Sequence, residues 1–479
     1  MKKIYFISNV IFFVISSFIN VNAQSYKIKV KINGLHGDSL YLGHYYAEKL
    51  YAVDTCKLDN KGVGTFSKKK VLDGGLYAVL FPTRKMSFFE IIISDDQDMF
   101  LETDTSDYVL NMKVTGSKEN ELFYAFQKKM ADMKSFAIGL QKRYTANKDN
   151  KDSTKYIAGK LDSIDKVKDA YWEKEIKDNP NTLFAKIVKA MSNVKIPDPT
   201  NIDKNAKGYD SLVSVYRYNY NIEHFFDNID FTDPRLLRTP FVESRLKEFY
   251  EKNIIPNFDS LTNAAIKVIE KSKVNKEFFK YVVITSTNYF LTSQIMGMDG
   301  VFVNLAEKYY LSGQATWADT SVMKSMTKYV NQFKPNMLGK VGHDLKLETN
   351  TGETVTLHQI KAKYTVLVFW EPSCGHCKKE IPLMYEKYTK WKEEGVEVLC
   401  VYTQVDEKEW NDFIEKHGIT DWINAFDRYQ RSSFRAFYNV DRTPTVYLLD
   451  EKKIIIAKRL GVEDLDKMLD RLLKKDVKK

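Results

Sequence analysis

The distribution of apolar and polar residues changes twice along the chain and predicts three structural regions. From Ser25 to about Gly116, short runs alternate between apolar and polar residues, as in Tyr26–Ile32, which predicts β-strands with one buried face. Turn signals such as Asn33–Gly34 separate these runs. The other predicted strands are residues 39–45, 51–58, 75–81, 88–94, 98–103 and 109–114. Many short strands of this kind are typical of an all-β sandwich.

Between Ser117 and about Lys334 the apolar residues recur every three or four positions, which predicts α-helices. One helix is indicated from Leu122 to Tyr144 and a second from Ile157 to Tyr171, with the charged loop Asn147–Thr154 between them. Prolines divide the remainder into about eight further helices. No repeat of fixed period is present, so a solenoid is not expected.

The third region alternates strands and helices from Asn336 to the C-terminus. The run Tyr364–Phe369 is apolar and β-branched, and it predicts a buried central strand. Further elements are predicted at residues 381–394, 396–403, 406–417, 445–449, 453–458 and 462–473. The predicted fold class is therefore multidomain. It comprises an all-β sandwich-like domain at 24–116, an all-α domain at 117–335 and an α/β domain at 336–479.

The first 23 residues have the pattern of a secretory signal peptide. Basic Lys2 and Lys3 precede the apolar stretch Ile4–Ile19, and Val21–Ala23 resembles a cleavage site. An uncleaved anchor is the alternative, but polar residues interrupt the stretch, and no cysteine follows the cleavage site to carry a lipid. We expect export to the periplasm or cell envelope, without stable membrane insertion after the signal is removed.

Charge and histidine spacing give no sign of a nucleic-acid surface or a metal site. The net charge of +10 is spread over helices that interleave Lys with Asp and Glu, which favours solvated faces over a nucleic-acid surface. The seven histidines show no paired-ligand spacing. We therefore expect no nucleic-acid partner, no metal and no cofactor.

The motif Cys374–Cys377 lies where the predicted central strand gives way to a helix. The start of a helix favours a negative charge, so the pKa of Cys374 should fall and its thiolate should attack disulfides. Cys377 lies one turn away and can resolve the resulting mixed disulfide by forming a disulfide with Cys374. Gly375 leaves room for a partner chain. His376, when protonated, should stabilise the thiolate and make the disulfide a better oxidant.

A zinc site is the alternative reading of the two cysteines. It would need two more soft ligands, and the remaining cysteines, Cys56 and Cys400, have no Cys or His nearby at ligand spacing. Cys400 lies in the apolar run Val396–Tyr402, and we expect it to be buried there as a small packing residue. No partner can be identified for Cys56. Redox chemistry is therefore favoured over metal binding.

The segment Thr443–Leu449 adds a second signal, a proline at the start of an apolar strand. Together, W-x-x-x-C-x-x-C beginning at Trp370 and the Thr443–Pro444 pair resemble the thioredoxin fold. The resemblance implies that Pro444 is cis and faces the dithiol. It further implies that Thr443 and Pro444 hold the substrate backbone and that Trp370 tunes the redox centre.

Within that superfamily the chain resembles the TlpA/ResA-like group of envelope thiol-disulfide oxidoreductases. The resemblance is carried by C-x-x-C-K-K-E-x-P at residues 374–382 and by a predicted hairpin at 345–357, and it covers about residues 336–475. It implies a protein-disulfide reductase or isomerase. The implied partners are disulfide-containing exported proteins and an electron donor in the membrane or envelope.

Two departures from the family patterns affect the expected mechanism. Val368 stands where cytoplasmic thioredoxins carry a buried Asp that accepts a proton. In the ResA-like pattern a Glu after the second cysteine takes that role, and Glu380 matches it. The Gly375–His376 pair is similar to protein disulfide isomerase rather than to ResA-like reductases. The direction of electron flow therefore stays open.

Three functional hypotheses follow. Reduction of envelope disulfides is preferred, with isomerase or oxidase action open because of His376. A peroxiredoxin-like peroxidase would need P-x-x-x-T/S-x-x-C ending at Cys374, and the residues before Cys374 do not supply it. The third hypothesis is a binding protein whose first two-thirds captures a ligand, with an accessory redox module.

Overall fold

The computed structural model of the protein describes residues 25–476, so the predicted signal peptide lies outside the described residues. The strands are β1 Tyr26–Asn33, β2 Ser39–Tyr46, β3 Lys49–Lys57, β4 Val63–Lys68, β5 Gly75–Phe81, β6 Ser87–Ile93, β7 Asp98–Asp104, β8 Lys113–Thr115, β9 Lys346–Thr349, β10 Thr354–Thr356, β11 Tyr364–Trp370, β12 Val396–Tyr402, β13 Ile423–Phe426, β14 Thr445–Asp450 and β15 Ile455–Lys458. The helices are α1 Lys118–Ala146, α2 Lys151–Asp178, α3 Leu183–Met191, α4 Tyr209–His224, α5 Phe241–Glu248, α6 Phe258–Ser272, α7 Lys276–Thr292, α8 Met298–Leu305, α9 Thr320–Phe333, α10 Cys377–Glu393, α11 Glu407–His417, α12 Phe434–Phe437 and α13 Val462–Asp476.

The chain divides into two compact units, residues 1–245 and 246–479. The helices of the predicted all-α domain are shared between them, and the domain limits 24–116, 117–335 and 336–479 stay predictions. Among residues 25–476, none of the helices combines the length and the apolarity needed to cross a bilayer.

The first unit contains two four-stranded sheets, in the orders β4-β1-β7-β8 and β3-β2-β5-β6. β1 alternates buried and exposed residues as its sequence predicts, because one face covers the core and the other meets water. β1 runs parallel to β7, with Val30 opposite Leu101, and antiparallel to β4, with Ile28 opposite Phe66. The predicted all-β sandwich-like architecture is confirmed.

Two strands in this unit differ from the prediction. β4 was not predicted, because its apolar positions are limited to Val63 and Phe66 beside Gly64. The strand predicted at 109–114 is confined to β8, because the carboxylate of Asp107 accepts hydrogen bonds from the backbone N–H groups of Val109 and Leu110 and fixes a turn there.

Two long helices, α1 and α2, follow the sheets and match the predicted helical pair. Ser117 caps α1 by accepting a hydrogen bond from the backbone N–H of Asn120. Asn120 is fully buried, and its side chain both accepts from Ile92 N at 2.8 Å and donates to Ile92 O at 2.7 Å. Because these bonds satisfy two backbone groups of β6, they anchor the helix to the sheet.

In the second unit, the helices α6 to α9 precede the α/β domain. Lys458 at the end of β15 is buried, and its ammonium group pairs with Asp299 of α8. Lys458 Nζ also donates to the backbone oxygen of Asn336 at 2.8 Å and to its side-chain oxygen at 3.0 Å. Burial lowers the pKa of Lys458, and the Asp299 carboxylate opposes that shift. This buried ion pair ties a helix to the edge of the sheet within the unit.

The α/β domain is built on a seven-stranded sheet in the order β10-β9-β13-β12-β11-β14-β15. β11 lies between β12, to which it is parallel, and β14, to which it is antiparallel. Every residue of β11 is buried. Val366, Val368 and Trp370 pack into one apolar cluster, while Leu367 and Phe369 pack into a second. The strand is therefore covered on both faces, as its continuous apolar run predicts.

The predicted fold class is confirmed for all three regions. The predicted elements of the α/β domain agree with α10, β12, α11, β14, β15 and α13. The four-residue strand β13 was missed, since Ile423–Phe426 carries Asn424 in its interior and is too short to show a period of two.

Candidate active site

The two cysteines of the motif lie at the carboxyl end of β11, in and after the turn that leads into α10. Cys374 N donates to the Glu371 carbonyl at 3.3 Å, and the Cys374 carbonyl accepts from Lys378 N at 3.1 Å. The helix itself begins at Cys377. Cys374 therefore lies just before the first helical turn, where backbone N–H groups are free to face a thiolate.

The two sulfurs have different environments. Cys374 is partly exposed, whereas Cys377 is 0% exposed. Cys377 N lies 3.5 Å from Cys374 Sγ, and Cys374 Sγ donates to the Thr443 carbonyl oxygen at 3.2 Å. The partly exposed thiol of Cys374 is therefore accessible to a substrate, whereas the buried thiol of Cys377 is accessible only to Cys374.

The pKa values of the two thiols are shifted in opposite directions. Burial disfavours the Cys374 thiolate, yet the pKa of Cys374 is lowered because nearby polar groups of Thr443, Cys377 and His376 outweigh that penalty. Burial raises the pKa of Cys377 to about 12. These opposite shifts are consistent with the predicted role of Cys374 as the nucleophile of the pair, which stays a prediction.

Alkylation of the intact protein tests this difference. At neutral pH we expect iodoacetamide to modify Cys374 at least about tenfold faster than Cys56, because burial raises the pKa of Cys56 to about 12 while that of Cys374 is lowered. The expected ratio of the two alkylation rates is smaller than the ratio of the two thiolate fractions, because a less basic thiolate is also less nucleophilic. The Cys374 rate should rise with pH and level off below the ordinary pKa of a cysteine. Equal rates for the two cysteines, followed by mass spectrometry, would contradict the assignment.

Thr443 and Pro444 lie beside the dithiol, as the family resemblance implies. The peptide bond between them is cis. Thr443 leads into β14, the antiparallel neighbour of β11, so the start of β14 lies at the same edge of the sheet as the end of β11. Substrate binding by these two residues stays a prediction.

The other predicted site residues are distributed around the motif. Gly375 and His376 are exposed, and a Cβ added to Gly375 would meet nothing within 4 Å, so open space remains for a partner. Trp370 is fully buried, with its ring 4.7 Å from that of Phe413. The Glu380 carboxylate accepts from Val462 N at 3.3 Å, at the start of α13. Its role in proton transfer, like redox tuning by His376, Gly375 and Trp370, stays a prediction.

Glu371 is a site residue that the sequence analysis did not identify. Its carboxylate accepts from the Thr443 hydroxyl at 3.4 Å, from the Thr403 hydroxyl at 3.4 Å and from the Gln404 amide. It therefore joins the segments that follow β11 and β12 to the one that precedes β14. The signal available in the sequence was a carboxylate directly after the central strand, close to the first cysteine.

The remaining cysteines lie apart from this chemistry. Cys400 is 0% exposed on β12, which confirms its predicted burial, and burial raises its pKa. Cys56 lies on β3 in the other unit. Within residues 25–476, no group of three or more His, Cys, Asp or Glu side chains converges as metal ligands would.

Comparison with known proteins matches three segments to families. Residues 338–463 match the AhpC/TSA family, and residues 26–123 and 212–332 match two domains of unknown function, DUF4369 and DUF5106. The thiol-disulfide oxidoreductase ResA of Geobacillus kaustophilus is 33% identical over 150 residues, which cover 30% of this chain and 84% of ResA. ResA of Bacillus anthracis is 29% identical over 138 residues, covering 29% and 78%.

Two solved structures are also similar to parts of the chain. A domain of a possible thiol-disulfide isomerase from Cytophaga hutchinsonii is 36% identical, with a TM-score of 0.28, and covers 30% of this chain and 97% of that domain. A thioredoxin-like protein from Bacteroides caccae is 18% identical, with a TM-score of 0.45, covering 58% of this chain and 99% of that one.

Proposed function

Because the chain belongs to the TlpA/ResA-like thiol-disulfide oxidoreductases of the thioredoxin superfamily, we propose that it reduces disulfide bonds in exported proteins of the cell envelope. The chain is an enzyme of thiol-disulfide exchange. The observation that carries the exchange chemistry is the pairing of a partly exposed Cys374, whose pKa is lowered, with a fully buried Cys377, whose pKa is raised to about 12. Reduction is the preferred direction because residues 374–382 follow the ResA-like pattern.

The reaction takes place in two exchanges. The Cys374 thiolate attacks one sulfur of the substrate disulfide, forms a mixed disulfide and releases the other substrate sulfur as a thiolate. Cys377 then attacks Cys374 Sγ, the Cys374–Cys377 disulfide forms, and the second substrate sulfur leaves. The substrate gains two electrons and two protons, and the dithiol loses them. Thr443 and Pro444 hold the extended substrate backbone beside Cys374 during both steps.

Return to the reduced state requires a dithiol electron donor of the membrane or envelope. The signal-like first 23 residues support export, and they make this compartment the proposed place of action. No nucleic acid takes part, and no cofactor is needed because the electrons move between sulfur atoms.

Oxidase or isomerase action is the second candidate. Stabilising the Cys374 thiolate stabilises the reduced enzyme and so makes its disulfide a stronger oxidant. The lowered pKa of Cys374 and the exposed position of His376 favour that candidate. The reduction potential of the Cys374–Cys377 disulfide, measured by equilibration with glutathione buffers, decides between the two candidates. A potential near that of thioredoxin supports reduction, and a potential near that of disulfide isomerases supports the second candidate.

Replacing Cys377 with serine tests the proposed function and its substrates. Serine cannot attack Cys374 Sγ, so the mixed disulfide with a substrate should persist. We expect Cys377→Ser, expressed in the exported compartment, to retain disulfide-linked envelope proteins that a reductant releases. The matched control is Cys400→Ser, a buried cysteine of the same domain, which should retain none. If the Cys377→Ser variant traps nothing either, the proposal loses its support.

A further inference from the structure

A small cavity lies at the same edge of the seven-stranded sheet as the dithiol. The parallel strands β11, β12 and β13 end in register, with Trp370 opposite Tyr402 and Tyr402 opposite Phe426. The segments that follow β12 and β13 enclose a cavity of about 250 Å³. Open α/β sheets bind their ligands at the carboxyl ends of parallel strands. This cavity is too small for a whole cofactor and has room for a single side chain.

Two residues of the cavity wall connect it to the reacting cysteine. Thr403 and Gln404 line the cavity, and both side chains donate to the Glu371 carboxylate. The backbone carbonyl of Glu371 in turn accepts from Cys374 N at 3.3 Å. Because neighbouring strands lie about 5 Å apart, the ends of β11 and β13 are separated by about 10 Å, which three residues of an extended chain span. A polypeptide bound at Cys374 can therefore place a nearby side chain in the cavity.

Arg435 brings a positive charge to the cavity wall. Its Nη2 donates to the Thr403 carbonyl at 2.7 Å, and its guanidinium carbon lies 5.2 Å from the centroid of the Phe434 ring. In the part of the chain that the structure describes, this guanidinium pairs with no carboxylate. Its remaining N–H groups are free to bind a carboxylate through two parallel hydrogen bonds.

Asp427 also lines the cavity, but its carboxylate is bound by the loop that follows β13. The two oxygens of this buried residue accept from Arg431 N at 2.9 Å, Ser432 N at 2.8 Å and Ser432 Oγ at 2.6 Å. These bonds hold the loop that carries Gln430 and Ser433, each at a φ of 51°, which few side chains adopt. Asp427 therefore shapes the loop.

The side chains of Gln430 and Ser433 add further donors to the wall. Both residues line the cavity, and among residues 25–476 neither side chain has a hydrogen-bond partner. An amide N–H, a hydroxyl and the Arg435 guanidinium are thus available, whereas the Asp427 oxygens are already hydrogen-bonded. A ligand that satisfies these groups carries oxygen acceptors and a negative charge.

We propose that this cavity binds an acidic side chain of the substrate polypeptide, about three residues from the cysteine that Cys374 attacks, and that Arg435 determines this preference. The inference rests on the proposed function and names its substrate class, which is exported proteins with Asp or Glu close to a disulfide.

Matched disulfide peptides test the preference. Each peptide contains one disulfide and a single Glu or Gln placed two, three or four residues before or after a cysteine. The measurement is the second-order rate constant with which the reduced full-length enzyme reduces each peptide. At the best spacing we expect the Glu peptide to react about tenfold faster than its Gln match, because a hydrogen bond to a charged group is lost in the latter. High salt should diminish this ratio.

Variants of Arg435 separate recognition from a structural effect. The readout is the ratio of the Glu and Gln rate constants, in which a general loss of activity cancels. Arg435→Gln should lower the ratio to about one. Arg435→Glu should make a matched Lys peptide the faster substrate, which a folding defect would not do. Arg471→Gln, which removes the same charge from an exposed position on α13, should keep the ratio of the unmodified enzyme.

Four results would overturn the inference and leave the proposed function intact. They are a Glu-to-Gln ratio near one at every spacing, a ratio that Arg435→Gln leaves unchanged, a ratio that Arg471→Gln lowers equally, and loss of the preference when free glutarate is present at the concentration of the peptide. The last result would show that the cavity takes small free acids. An unmodified enzyme that reduces none of the peptides would instead contradict the proposed function.

Discussion

Replacing Cys374 with serine is expected to lower the rate of disulfide reduction by at least about 10⁴-fold, the scale seen when an enzyme loses its covalent nucleophile. The remaining thiol of the motif cannot substitute for it. Cys377 is 0% exposed, so an external disulfide does not reach it, and burial raises its pKa to about 12, which disfavours its thiolate. The measurement is the rate at which the dithiol-reduced protein reduces insulin.

Cys56→Ser is the matched control for this variant. Cys56 is also partly exposed, but burial raises its pKa to about 12, and it lies in the other unit. Its replacement should leave the rate within about twofold of the unmodified enzyme. If Cys374→Ser kept more than a tenth of the rate while staying folded, a different sulfur would have to be the nucleophile, and the assignment of the dithiol would be wrong.

The sequence was sufficient for the parts of the site that depend on local chain order. The apolar run of β11, the dithiol after it and Pro444 before β14 are each defined by a few consecutive residues, and the structure places them at one edge of the sheet. Because Cys374 follows a continuous apolar strand and precedes a helix, its position can be predicted without knowing the contacts made by the rest of the fold.

Glu371 could not be found in this way, because its role depends on three segments that are distant in sequence. It meets Thr403 after β12 and Thr443 before β14 only because both strands pair with β11. The contact made by Glu380 could not be found in this way either. Its position in a family motif predicts proton transfer, which stays a prediction, and the structure adds that its carboxylate accepts from Val462 N at the start of α13. Spacing along a helix does not reveal which neighbour a side chain will meet.

The short and polar strands were missed for a physical reason. β4 and β13 carry Gly64 and Asn424 in their interiors, and neither has enough apolar residues to show a period of two. They are held as strands by pairing with their neighbours, β4 by β1 and β13 by β12. This pairing depends on the tertiary structure, so the local strand propensity of the sequence does not predict it.

Replacing Trp370 with alanine is expected to destabilise the α/β domain by about 3–5 kcal/mol. The ring is 0% exposed, and its centroid lies 4.7 Å from that of Phe413 and 6.3 Å from that of Tyr402, so its removal leaves a cavity in the cluster that also contains Cys377. Pulsed alkylation of Cys400 in increasing urea measures this, because that thiol is buried in the same cluster and reacts only when the domain opens.

Trp370→Phe is the control that separates packing from polar and redox effects. Within the described part of the chain, Trp370 Nε1 has no hydrogen-bond partner, so phenylalanine loses ring volume but no hydrogen bond. We expect a cost of about 1–2 kcal/mol, well below that of alanine. The same variant tests whether Trp370 tunes the redox centre. A changed pH dependence of Cys374 alkylation would support that role. An unchanged pH dependence would limit the role of Trp370 to packing. Equal destabilisation by both substitutions would show that the cavity is not the cause.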